Sequence, residues 1–525
     1  MAQLESEPVV IDLNEPIRMP FGAERKTPLQ NLIVTPDGGR KMRGGQVHHM
    51  GTALSGTPTV MGIHDFWVGA TQTVVISAGG KIWKEDGLDG TFDDITKSGL
   101  DWSDTAKTSA IQMNDILGIW NANGDTAQKW NQSDATTDNL GATNATTAKF
   151  ATSYRGRGFA AGVAASPDTL WYSAVGNIDA TFTAFVVGVK DGLGGITGMI
   201  GHPNPNVNLF FVFKERGIYA VNMTAIGTPA EWEIKQLSGL ELKLGCPSHH
   251  TIKAVPVAGG PDIWFLGNDG NVYSLNRVID TEDVGLSKVT DGYETSFREI
   301  TTARLTDTIS EVDLEGSQYC LFASVNSQES NNRMFTLSYR MMGPMERSRM
   351  FVPEAQEHTN INAASVGKVQ INNRQRIVTG DYVGFLNRQF SENIQDFEGA
   401  ADEVAIEPSL LLFNLDGGNP DNKKNWQSIT LHQRPSTDTN LNFKWYVDGG
   451  EEQTETINQL GSFNALGEFL LSTDRLASQN ILLVERTQLR GEHNGYYLSM
   501  SLGKTASDQG MEVFRIVLDT KIAGR

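Results

Sequence analysis

An all-β fold is what this sequence predicts, and three observations predict it. Glycine is abundant, at 54 of 525 residues, while apolar residues seldom recur at the three-and-four spacing of a buried helix face. Short runs of β-branched and aromatic residues recur instead, each closed by Gly, Asn or Asp. These runs come in pairs, and the pairs follow one another at roughly 45 to 60 residues. That is the repeat length of one blade of a β-propeller, in which neighbouring sheets bury each other's faces.

The paired units read in order along the chain. Thr59 to Val68 precedes Thr73 to Trp83, with Gly79-Gly80 as a turn between apolar arms. Ser109 to Trp130 follows, turning at Asn123-Gly124-Asp125. Arg157 to Ser173 turns at Ser166-Pro167-Asp168, and Asn208 to Val221 turns at Glu215-Arg216-Gly217. Asp262 to Leu275 turns at Asn268-Asp269-Gly270, and Arg376 to Leu386 supplies a sixth unit. Ser317 to Val352 is also strand-rich and reads as another blade or a bridging sheet. Trp83, Trp120, Trp130, Trp171 and Trp264 fall at strand ends of the repeat, which places them in blade cores. The spacing is irregular, so the repeat is degenerate; a large β-sandwich is the competing architecture.

Three regions follow from this reading. Residues 1–45 lack periodicity and read as an extended N-terminal arm, with a turn at Pro36-Asp37-Gly38-Gly39. Residues 46–390 form the propeller, interrupted by an inserted sheet. The stretch from Phe390 to Glu407 turns acidic and polar, as a linker does. Residues 402–525 then alternate apolar and polar at Trp426 to Leu431, Leu441 to Val447, Gly467 to Leu471 and Tyr496 to Leu502. With Val513 to Leu518 and the turn at Asp448-Gly449-Gly450, they predict a C-terminal β-sandwich or platform domain. The expected fold is therefore all-β, a β-propeller followed by a C-terminal sandwich-like domain.

Composition narrows the function. The formal net charge of -19 argues against holding nucleic acid by phosphate neutralisation, which needs clustered Lys and Arg. Such a charge suits plain solubility, or the wall of a conduit through which nucleic acid slides without sticking. Cys246 and Cys320 are the two cysteines, so no disulfide framework and no thiolate-clustered metal site is expected, and folding in a reducing cytoplasm is. No apolar run approaches the roughly 18 residues of a membrane span. Met1 to Glu15 is polar and acidic, unlike a signal peptide.

Motifs for chemistry are weak. His48-His49 and His249-His250 are adjacent pairs; on a strand, neighbours point to opposite faces and cannot chelate one metal, so loop or surface positions are expected. Gly192 to Gly198 has the glycine density of a phosphate loop but lacks its Gly-Lys-Ser/Thr ending, and reads as a turn between blades. Asp86 to Phe92 lacks the residue order of a sialidase Asp-box and also reads as a turn. No Ser or Cys stands in a nucleophile-elbow context. The expectation is a protein without catalytic, cofactor-binding or metal-binding residues, and not an enzyme.

Four pieces, taken in order, resemble the nozzle or hub propellers of short-tailed bacteriophage tails, the tail tubular protein B-like family. They are Asn31 to Gly45, Tyr154 to Asn177, the pair Leu209 to Val221 with Gly245 to Leu275, and Gly380 to Arg388 followed by the C-terminal sandwich. The acidic linker and Ser327 to Asn332 depart from that pattern. The resemblance implies a virion structural protein assembled in the host cytoplasm. It implies a homohexameric ring that extends the tail channel, touches a tail adaptor and tail fibre or spike proteins, and lets the genome pass during ejection without specific DNA binding. A receptor- or glycan-binding propeller at the tail tip is the alternative.

Overall fold

The computed structural model describes residues 9–12, 29–35, 39–223, 229–237, 243–257, 260–277, 284–291, 293–339, 354–415, 422–433, 440–458, 483–489, 494–504 and 510–522. Among them, six separate four-stranded sheets and the four-stranded start of a nine-stranded sheet make seven blades. Each blade is an antiparallel meander. Blade one runs Val60–Val68, Thr71–Ala78, Lys81–Asp86 and Asp93–Asp94. Blades two, three and four begin with Thr108–Met113, Phe150–Tyr154 and Ile196–Gly201. Blades five, six and seven begin with Lys253–Val257, Ile309–Asp313 and Ser365–Ile371.

What closes these sheets into a ring is the two-residue period of a strand, which sends alternate side chains to opposite faces. In blade four, Phe210 and Val212 pack back on blade three with Phe159 and Leu170. Their neighbours Phe211 and Phe213 pack forward on Ile263 and Phe265 of blade five. Blades five and six share Trp264, Tyr319 and Phe335. Blades six and seven share Phe322, Met334 and Ile377. The last core joins Val369, Val378 and Leu386 of blade seven to Val60, Val74 and Ile76 of blade one, and the circle is complete. A sandwich has two facing sheets; here each blade has two neighbours, so the competing architecture is set aside for this region.

The chain also locks the circle by strand pairing. Blade seven takes its outermost strand from Val47–His48, which pairs antiparallel with Leu386–Arg388. Opening the ring between blades one and seven therefore requires breaking a sheet that contains both ends of the propeller sequence.

The arm expected over residues 1–45 is corrected across its described part. Leu29–Gln30 lies between Glu354–His358 of blade six and Ser409–Leu415 of the C-terminal domain, while Leu32–Val34 and Arg40–Met42 join the opposite sheet of that domain. Asn31, with φ of 52°, carries the chain from one sheet to the other; Asn tolerates this left-handed conformation better than most residues. Lack of periodicity in the sequence reflects strands of two or three residues, too short to show a pattern. The turn expected at Pro36-Asp37-Gly38-Gly39 lies largely outside the described residues.

The C-terminal domain is a two-sheet sandwich. One sheet is built on Lys424–Gln433 and Glu512–Ile522, the other on Ser409–Leu415, Asn440–Val447 and Leu498–Lys504. Trp426, Leu431, Leu441, Phe443, Trp445 and Leu518 fill the space between. Through Leu29–Gln30, the second sheet runs on into blade six as one nine-stranded sheet. Of the two readings of Ser317 to Val352, another blade or a bridging sheet, the described part follows the first: Gln318–Ala323 and Arg333–Ser338 belong to blade six. The strand expected at Gly467 to Leu471 lies outside the described residues.

Candidate functional site: the axial tunnel

The innermost strands of the seven blades line one cavity of about 460 Å³, bordered among others by His64, Lys107, His250, Lys253, Glu311 and Lys368. That volume is in the range of small-molecule pockets, about 300 to 1,000 Å³.

Glu311 organises the charge in this tunnel. It stands mid-strand in blade six and receives an ammonium from each side: Lys253 Nζ of blade five at 2.9 Å and Lys368 Nζ of blade seven at 3.1 Å. The Val312 amide also donates to its Oε1 at 2.9 Å. Burial opposes ionisation, and the two ammoniums with these hydrogen bonds overcome it, holding the carboxyl at about 2. Lys107 enters from the start of blade two and donates to the Ala364 carbonyl at 3.1 Å. Burial lowers its ammonium to about 8, against the pull of Asp307. Asp65 is committed elsewhere, accepting from Gln72 Nε2 at 2.7 Å and from the Gln370 amide at 3.3 Å.

Three histidines complete the wall. His64 faces Thr108 Oγ1 at 3.0 Å, and burial pushes it down to about 4. His249 and His250 sit on a single 3₁₀ turn, His249–Thr251, just before the inner strand of blade five. Burial, aided by Lys253, also takes His249 down to about 4. Burial likewise pushes His250 well below its ordinary value, with His249 and Lys107 adding to it. The Nε2 atom of His250 meets no hydrogen-bond partner.

His249-His250 lies on a turn between strands, as expected, but the turn brings both rings to the tunnel and not to the outer surface. His48 lies on the outermost strand of blade seven, stacked between Phe385 and Phe397 at 4.3 and 4.4 Å. His49 meets the buried Glu85 at 2.9 Å. Among the described residues, no group of three or more His, Cys, Asp or Glu is placed to hold a metal ion. Gly192 to Gly198 connects blades three and four, with Gly192 and Gly194 at positive φ. Asp89 closes its own turn, accepting from the Thr91 amide at 2.9 Å.

Sequence reasoning did not assign the Lys253–Glu311–Lys368 trio. Each residue is an ordinary polar position of an alternating strand, and only the radial arrangement brings the three together.

No family model and no curated protein matches the sequence. Among solved structures, the chain is similar to the β-propeller domain of Cps50 (Swd1) from Myceliophteria thermophila, at 9% identity and a TM-score of 0.43 over 65% of this chain and 99% of that one. It is also similar to YCF48 from Cyanidioschyzon merolae, at 10% identity and a TM-score of 0.40 over 67% and 100%. Likenesses this low carry no argument about function. The blade topology defines the class: a seven-bladed β-propeller, among the described residues, fused to a β-sandwich.

Proposed function

We propose that this chain is a structural subunit of a bacteriophage tail, a nozzle or hub section that assembles into a ring of about six copies. The supporting observation is mechanical. Propeller and sandwich share one nine-stranded sheet, so a load applied to either is carried by hydrogen-bonded strands and not by a flexible linker. A ring built from such bodies is stiff. The propeller's own cavity is of small-molecule size, and in this reading the genome passes along the axis of the ring, between copies. A net charge of -19 disfavours adhesion of DNA to that wall. The closed ring requires heterologous contacts whose rotation returns to its start.

Antibody labelling tests the role. An antibody against this chain, imaged on phage particles, is expected to decorate the tail around its channel. Label on the capsid, or none on intact or opened particles, would contradict a tail role. Binding of the isolated chain to host glycans would replace it with the receptor reading.

A further inference from the structure

The axial tunnel gathers ammonium donors that the mechanical role does not use. An ammonium has three N–H donors. Lys253 and Lys368 each direct one at Glu311, and Lys107 directs one at the Ala364 carbonyl. All three border the same cavity, against two carboxylates, Asp65 and Glu311. Lys107 is answered by Asp307, whereas the trio Lys253–Glu311–Lys368 by itself carries one positive charge, inside a chain whose net charge is -19. Glu311 is shared between two ammoniums, and Asp65 already accepts two hydrogen bonds away from them. His250 borders the cavity too, close enough to Lys107 and Lys253 to feel the charge of both, and its Nε2 is unpartnered. Charge-assisted bonds from ammonium to oxyanion are roughly twice as strong as neutral ones.

We propose that the tunnel binds a small free oxyanion, of the phosphate or carboxylate class, beside the Lys253–Glu311–Lys368 trio, with Lys107 and His250 completing the donor set. The two lysines are held apart across a single carboxylate, and a second anion satisfies the donors that Glu311 leaves over. Its place is enclosed by inner strands from separate blades, so occupancy ties those blades together at the axis. The site stands independently of whether the chain forms rings.

Calorimetric titration of the full chain with inorganic phosphate, and separately with succinate, at constant ionic strength in chloride tests this. One-site saturable binding is expected for at least one of the two, with a dissociation constant below about 1 mM. Lys368→Gln should weaken it at least about tenfold, while Lys253→Arg, which keeps the charge, should hold it within about threefold. Glu311→Gln should tighten it about tenfold, because the competing carboxylate is gone. Thermal melts in chloride confirm that each variant is folded; should Glu311→Gln fail to fold, Lys368→Gln against Lys253→Arg decides. Absence of saturation below about 10 mM with both anions, or equal affinity in Lys368→Gln and the parent, would overturn the proposal.

Discussion

Arg43 and Asp396 form a two-pronged ion pair, Nη1 to Oδ1 at 2.7 Å and Nη2 to Oδ2 at 2.6 Å, with side chains 1% and 0% exposed. The pair sits where the chain leaves the sandwich strand Arg40–Met42 and enters the ring-closing strand Val47–His48. Arg43 also donates to the Thr359 carbonyl at 3.0 Å, and Asp396 accepts from the Gln46 amide at 2.9 Å. The segment between propeller and sandwich, read from sequence as a linker, is thereby anchored: Gln395–Asp396 pairs with Val404–Ala405 and is pinned to the N-terminal strands. Two bodies that look separable along the sequence are joined through a buried charge.

Removing one partner of that pair leaves the other charge buried and uncompensated, which costs about 3 to 5 kcal/mol. Arg43→Met and Asp396→Asn are each expected to destabilise the protein by that order in urea denaturation. The double variant should be less destabilised than the sum of the two. Full additivity in the cycle would show that the pair is not coupled.

Gly45 threads past the same anchor. A Cβ placed there would stand 1.9 Å from the Gln395 carbonyl oxygen. Gly45→Ala is therefore expected to cost about 3 kcal/mol through forced displacement of backbone. Gly51, whose Cβ would meet nothing within 4 Å, should accept Ala with little change. Comparison of the two melting temperatures checks it.

Acid should unfold the propeller in two successive windows. His64 and His249 titrate at about 4 when folded against 6.5 otherwise, so between those values the unfolded chain binds protons that the folded one does not. Stability then falls as pH drops from 6.5 towards 4, by at most about 1.4 kcal/mol per pH unit for each histidine. Glu311 is held at about 2 against 4.5, so its contribution is present above 4.5 and is lost as pH falls from 4.5 to 2. His64→Gln should lessen the slope of the upper window by its own share, with His249 and His250 still contributing, and leave the Glu311 window unchanged. Denaturant midpoints measured from pH 7 to 3 give both slopes; a flat profile above pH 5 would count against the buried histidines.

Cys246 and Cys320 are free and buried. Burial pushes the Cys246 thiol up to about 12 and Cys320 well above its ordinary value. Thiolate is the reactive form, so neither should react with a disulfide reagent in the native protein at pH 8. Both should titrate once the chain is unfolded in guanidinium. Rapid labelling without denaturant would contradict their placement.

Local turn chemistry made most blades readable from sequence. Asn268-Asp269-Gly270 closes a hairpin as its residue types demand, with Gly270 at φ of 82°, and Glu215-Arg216 joins Leu209–Lys214 to Gly217–Asn222. Trp120, Trp130 and Trp264 are wholly buried in blade cores, although Trp264 stands within Gly260–Leu266 and not at its end, while Trp83 and Trp171 pack against cores only partly buried. Within Ser109 to Trp130 the reading missed a reversal at Asn114, whose φ of 55° lets it turn the chain without glycine. Ring closure was hidden for another reason. His48 meets Asn387 across 339 residues, and no window of sequence contains both. The tunnel was hidden likewise: Lys253, Glu311 and Lys368 belong to three blades, and nothing local marks them as neighbours.

Native mass measurement of the purified chain, at micromolar concentration and near-neutral pH, tests the structural role most directly. A closed assembly of about six 57.3 kDa chains, unchanged on moderate dilution, is the expected species. A 57.3 kDa monomer at every concentration tried would contradict it.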